Sequence, residues 1–232
     1  MIGIIAAMPK ETDSLYEAMT EKTRETIACM DFVRGKLDGK DAVVCTCGPG
    51  KVFAAAATQI MIDRFAPSCI LNTGIAGTLS PELHIGDIAI ADRVMQHDMD
   101  TSALGDEIGM VSRVNRVYFD CEETLVRLAE KTVAEEGWHA VRGTVASGDQ
   151  FVSDRKRKEW IAGTFGAIAC EMEGGAIGQI GFVNGVKFLV LRVISDEADG
   201  SATDNYAAFA VAAAEKSVSV VRRMIAMIGE EK

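Results

Sequence analysis

The sequence predicts an α/β fold, with one domain built on a mixed, largely buried central β-sheet flanked by helices. Two observations carry this. Aliphatic runs of strand length alternate with helical patterns from end to end, and those runs are apolar on both faces, as strands covered on two sides must be. No linker, repeat or low-complexity stretch interrupts the 232 residues, so residues 1–232 read as one unit.

The elements follow in order. IGIIAA (2–7) is a buried strand, and Pro9 opens a helix running to about Met19. FVRGKL and DAVVCTC flank Asp38-Gly39, a type I′ hairpin signal. KVFAAAATQIMIDRF (51–65) is a helix, and SCILNTGIAG (68–77) is a strand ending in a Gly-rich turn. GDIAIADRVMQ (86–96) is a strand. Leu125, Leu128, Ala129 and Val133 share a helical face that Gly137 stops. AVRGTVASG (140–148) and FGAIAC (165–170) are strands, and MEGGAIGQIGF begins a helix. KFLVLRVIS (187–195) is a strongly apolar strand. The last helix starts near Asp204, with Val218, Val221, Ile225 and Ile228 in register.

Composition narrows the function. The formal net charge is −10, so a polyanion such as DNA is not an expected partner. KTR (22–24) and RKRK (155–158) read as solvated surface. No segment reaches the ~18 uninterrupted apolar residues of a membrane span, and the first residues do not read as a signal peptide. Six scattered cysteines without a C-x-x-C pair point to reduced thiols and a cytoplasmic protein, with neither a disulfide frame nor a zinc site.

Four familiar patterns fail. GPGK (48–51) lacks the first glycine and the Ser or Thr of a phosphate loop, and Phe53 stands where a dinucleotide turn needs glycine. It reads as a tight turn entering a helix. HDMD (97–100) offers one histidine and two aspartates, too little for a metal site. Ser147 and Ser195 sit in SGD and SDE, outside any nucleophile elbow.

The positive signal is acidic. Glu11, Glu171, Glu173 and Asp196 all fall just past predicted strand ends, where sites form in such folds. Charges are seldom buried unless paired or used. Cleavage of a glycosidic bond needs an acid for the leaving group and a base for water on the opposite face. A third carboxylate can grip sugar hydroxyls, and an arginine can hold it in place. Glu11, Glu173, Arg192 and Asp196 could supply these parts. The same residues could instead form an ion-paired network that closes the sheet's end.

IGIIAAMPKE, GPGKVFAA, NTGIAG, GDI, HDMD, ASGDQFV, CEMEGGAI and RVISDEAD occur in order along the chain. In that combination the sequence resembles the 5′-methylthioadenosine/S-adenosylhomocysteine nucleosidases, of the purine nucleoside phosphorylase-like superfamily. The resemblance implies a nucleoside phosphorylase-like fold and hydrolysis of a 5′-substituted adenosine to release adenine. It implies that Asp196, positioned by Ser195, protonates adenine N7, and that Glu11, assisted by Arg192, activates water. Met172 and Glu173 would hold the ribose, Phe151 would stack on adenine, and the Val152 backbone would read the base edge. Met8 beside Glu11 favours the nucleosidase branch. Glu171 is expected to face away and pair structurally.

The family further implies a homodimer in which residues near 101–106 complete the partner's site. It implies no metal or organic cofactor, and a role in recycling by-products of adenosylmethionine-using reactions. Four positions depart from its pattern. Ile75 stands where many members have a water-holding serine, Pro49 replaces an aliphatic residue, and Leu104 and Asp106 replace an aromatic pair. The 5′-substituent preference is therefore open. Two other readings remain. A phosphorylase of the same fold would need a cationic phosphate site. A non-catalytic nucleoside-binding protein would not need all three acids.

Overall fold

The computed structural model describes residues 1–228. In chain order these form β1 (Ile2–Ala6), α1 (Pro9–Ala18), β2 (Thr20–Ile27), β3 (Met30–Leu37), β4 (Lys40–Thr46), α2 (Lys51–Phe65), β5 (Cys69–Asn72), β6 (Ile75–Thr78) and β7 (Ile88–Gln96). They continue with β8 (Phe119–Asp120), α3 (Glu123–Glu135), β9 (Ala140–Ser147), α4 (Arg155–Phe165), β10 (Ala167–Glu171), α5 (Gly174–Asn184), β11 (Lys187–Asp196) and α6 (Ala202–Met227).

All strands join one mixed sheet in the order β2-β3-β4-β1-β5-β11-β6-β10-β9-β7-β8. β1 runs parallel to both β4 and β5, and β5 parallel to β11. β11 is the hinge of the architecture. Its first half pairs with β5 through Lys187–Val190, its middle with β7 through Leu191–Val193, and its end with β6 through Val193–Asp196. The β7–β11 pairing closes the second half of the sheet on itself. β11 can make three partnerships because nine of its ten residues are buried. Burying each Val, Leu or Ile contributes about 1.5–3 kcal/mol.

The expected mixed sheet with flanking helices is present, with three corrections. KTR (22–24) is exposed as expected but lies in β2, an edge strand whose charges discourage further pairing. The expected strand 68–77 is two strands, because the chain turns at Gly74 between β5 and β6. RKRK is not simply solvated surface: it opens α4, where the Asp154 carboxylate accepts from Arg157 N at 2.9 Å. Arg157 turns inward to His97 and Lys158 Nζ donates to the Glu197 carbonyl, so only Arg155 and Lys156 remain fully outside. At the hairpin, Asp38 and Gly39 both take positive φ (48° and 80°), as a type I′ turn requires.

Among the described residues no helix is long and apolar enough to cross a membrane. The six cysteines are free thiols, five of them buried.

Candidate active site

Parallel strands deliver their C-terminal ends to one side of the sheet, and the site is assembled there. A cavity of about 390 Å³ opens past the ends of β1, β4, β10 and β11 and is lined by Met8, Glu11, Pro49, Ile75, Phe151, Met172, Glu173, Ser195 and Asp196. A larger groove of about 590 Å³ runs along α6 beside Arg222 and Glu215, but it is open to solvent and gathers none of these acids.

Glu11 is placed by helix geometry. It stands three residues past Met8 at the start of α1, where free backbone N–H groups need acceptors. Its Oε2 accepts from Ala7 N at 3.0 Å and Met8 N at 2.9 Å, and its Oε1 from Ile75 N at 3.2 Å. Burial raises its pKa, with Arg192 and these three amides pulling the other way. The contact with Ile75 is made by the backbone, so the aliphatic side chain does not remove it.

Asp196 ends β11. Its Oδ2 accepts from Ser195 Oγ at 2.9 Å and its Oδ1 from Ala198 N at 2.9 Å. Burial raises its pKa, which these two donors only partly offset. A small recess beside it is lined by Val152, Gln150 and Phe151, next to Cys170 and Met172. Phe151 is 44% exposed and meets Tyr206 edge-on, with ring centroids 5.6 Å apart.

Glu171, Glu173 and Arg192 form the floor. Arg192 is only 2% exposed and does not line the cavity; it lies beneath it. Its guanidinium binds the Glu171 carboxylate directly, donates to Asn72 Oδ1 at 2.6 Å, and stands 3.6 Å from Glu173 Oε2. The sequence expectation that Glu171 faces away is corrected in part. It pairs structurally, but under the cavity, accepting from Ser147 Oγ and from the amides of Glu173 and Gly174 at the start of α5. With Arg192 committed to Glu171, burial and the Glu171 charge push Glu173 up to about 8. Glu173 Oε1 accepts from Gly50 N at 2.8 Å, tying this acid to the turn after β4.

GPGK therefore holds a carboxylate. Gly50 presents its amide to Glu173, while Lys51 latches neighbouring loops, its Nζ lying 2.6 Å from Asp98 and 3.1 Å from Gln96 Oε1. HDMD is part of the same latch. Asp98 also accepts from Asp149 N at 2.9 Å, and buried His97 accepts from Arg157 at 3.0 Å. Burial and Arg157 bring His97 down to about 4, so it is neutral. Among the described residues no three His, Cys, Asp or Glu side chains come together to hold a metal.

Leu104 and Asp106 lie away from this cavity. Leu104 is 85% exposed, and Asp106 accepts from Thr101 Oγ1 at 2.7 Å and Ser112 Oγ at 2.9 Å, so its charge is spent within its own loop. Sequence reasoning gave no role to Asn72, Ser147, Thr203 or Tyr206. Asn72 and Ser147 were within reach as polar residues closing buried strands. Tyr206 and Thr203 carry no local signal, because α6 brings them over the cavity from far along the chain.

A closed mixed sheet with carboxylates at its strand ends, over a buried arginine, defines a class. Residues 1–226 match the family model described as the phosphorylase superfamily. The chain belongs to that superfamily and, within it, to the 5′-methylthioadenosine/S-adenosylhomocysteine nucleosidase family. It is 39% identical to the 5′-methylthioadenosine/S-adenosylhomocysteine nucleosidase of Shewanella loihica, over 95% of this chain and 96% of the relative. Its fold matches the nucleosidase of Neisseria meningitidis in complex with methylthio-immucillin-A, with a TM-score of 0.94 and 32% identity, covering 98% of this chain and 99% of the other. It also matches the futalosine hydrolase of Helicobacter pylori, with a TM-score of 0.93 and 32% identity, over 97% and 96%.

Proposed function

We propose that the chain hydrolyses the N-glycosidic bond of 5′-methylthioadenosine, S-adenosylhomocysteine or a related 5′-substituted adenosine, releasing adenine. The observation that carries this is the placement of two acids with raised pKa values, Glu11 from the start of α1 and Asp196 from the end of β11, on the lining of one cavity. The similar relatives' names support the same substrates.

Protonated Asp196 donates its proton to N7 of adenine, which then leaves as a neutral base. Phe151 stacks on the base, and the Val152 backbone reads its edge in the recess beside Asp196. Ionised Glu11 takes a proton from water as its oxygen bonds to the anomeric carbon. Met172 packs on the ribose and Glu173 meets its hydroxyls. The positive charge developing on the sugar favours the ionised form of Glu173 and is stabilised by it. Arg192 acts from below by fixing the floor carboxylates. Neither a metal nor an organic cofactor enters these steps.

A phosphorylase needs a cationic phosphate site, and the first strand end offers Glu11, which repels phosphate. Incubation with 5′-methylthioadenosine in phosphate-free buffer separates the two. Adenine and free methylthioribose, with no gain on adding phosphate, support the hydrolase. A sugar 1-phosphate formed only with phosphate would overturn it.

The reading includes a cytoplasmic homodimer. Free thiols fit a reducing compartment. Leu104 at 85% and Val52 at 79% exposure are apolar side chains that a second copy would cover. Sedimentation of the purified chain tests the dimer.

A further inference from the structure

Lys10 is a cationic neighbour of the cavity that the hydrolysis does not use. Lys10, in the first turn of α1, donates from Nζ to Tyr206 Oη at 3.2 Å and lies 4.6 Å from that ring's centroid. Tyr206 Oη in turn donates to Met8 Sδ at 3.2 Å. Met8 and Tyr206 both line the cavity, so the half-buried ammonium stands at its rim. An ammonium has three donors and Tyr206 takes one. None of the salt bridges among the described residues uses Lys10. The charged residues lining the cavity, Glu11, Glu171, Glu173 and Asp196, are all acids.

The position of Lys10 follows from how the cavity is divided, and it rests on the hydrolase reading above. Asp196 and Ser195 mark the base end. Glu173, tied to Gly50, and Glu11, tied to Met8, mark the sugar end. The 5′ carbon of a bound nucleoside then faces Met8, Pro49 and Tyr206. An arm extending from it passes the Met8–Tyr206 pair and arrives at Lys10.

We propose that Lys10 is a specificity-determining residue that recognises a carboxylate at the far end of the 5′ substituent. The two unused N–H donors form charge-assisted hydrogen bonds to it, and the apolar Met8 wall accommodates the arm itself. S-adenosylhomocysteine ends in such a carboxylate, and 5′-methylthioadenosine does not.

The test uses two arms of equal length, 5′-S-(3-carboxypropyl)-5′-thioadenosine and 5′-butylthioadenosine, so that only the carboxylate differs. The ratio of kcat/KM for the two is measured in wild type, Lys10→Met and Lys10→Arg. The ratio should fall about five-fold in Lys10→Met, the size of a half-exposed charge pair. Lys10→Arg should keep most of it, and added salt should shrink it in wild type. An unchanged ratio in Lys10→Met, or equal losses on both arms, would overturn the proposal, since equal losses mean that Lys10 only holds Tyr206. If wild type cleaves neither compound, the hydrolase reading fails. The ratio of dissociation constants by calorimetry then decides on Lys10 by the same criterion.

Discussion

The Ile75 amide donates to Oε1 of Glu11 at 3.2 Å, across the gap between the start of β6 and the start of α1. The proposed base is therefore held at both oxygens by backbone groups, two from its own helix start and one from β6. Backbone donors keep their place whatever side chain stands at position 75.

Gly74 leaves room for this arrangement. A Cβ there would lie 2.7 Å from Glu11 Oε1 and 3.2 Å from Arg192 Nη1. Gly74→Ala should push the carboxylate aside and lower kcat about 10²-fold, as misplacement by an ångström can do. Adenine release checks the rate, and circular dichroism checks that the fold survives. Full activity would mean that Glu11 is not the base.

Asp196→Asn keeps the shape of the side chain and one acceptor oxygen, for the Ala198 amide, but cannot give up a proton. It should lower kcat by roughly 10²–10⁴ while calorimetry still detects nucleoside binding. In wild type, the limb where activity falls with rising pH should lie above the ordinary aspartate value of 3.8, because burial raises Asp196. A near-normal rate in Asp196→Asn would assign the acid elsewhere.

Glu173 gives a stability signature separate from catalysis. Its pKa rises from an ordinary 4.5 to about 8 in the folded chain. Between those values the folded state binds more protons than the unfolded one, so this group's stabilisation is full below 4.5 and is lost as pH rises through about 8. Glu173→Gln should flatten that decline in urea titrations across the same window, and should weaken both affinity and rate. A variant with the wild-type pH slope would show that Glu173 is ionised throughout.

Arg192 and Glu171 are each about 2% exposed at the side chain and bind each other directly. Arg192→Met leaves the Glu171 charge buried without its partner and should cost roughly 3–5 kcal/mol in urea unfolding. Adding Glu171→Gln should recover part of that loss. A single variant as stable as wild type would sink the view that the arginine neutralises the floor.

Periodicity and apolar runs in the sequence by themselves determined the alternating elements, the buried β11 and the position of the acids at strand ends. Those features are local: a side chain at the end of a buried strand sits at the sheet's edge wherever that strand pairs. Motif resemblance supplied the roles proposed for Glu11, Glu173 and Asp196. The tertiary structure decided what depends on distant segments meeting. It committed Arg192 to Glu171, gave Gly50 to Glu173 across 123 residues, and laid Tyr206 over Met8 across 198. It also turned Asp106 into its own loop. Hydrogen bonds between such segments follow from how distant strands and helices pack together, and no local pattern in the chain encodes which polar partners that packing brings together.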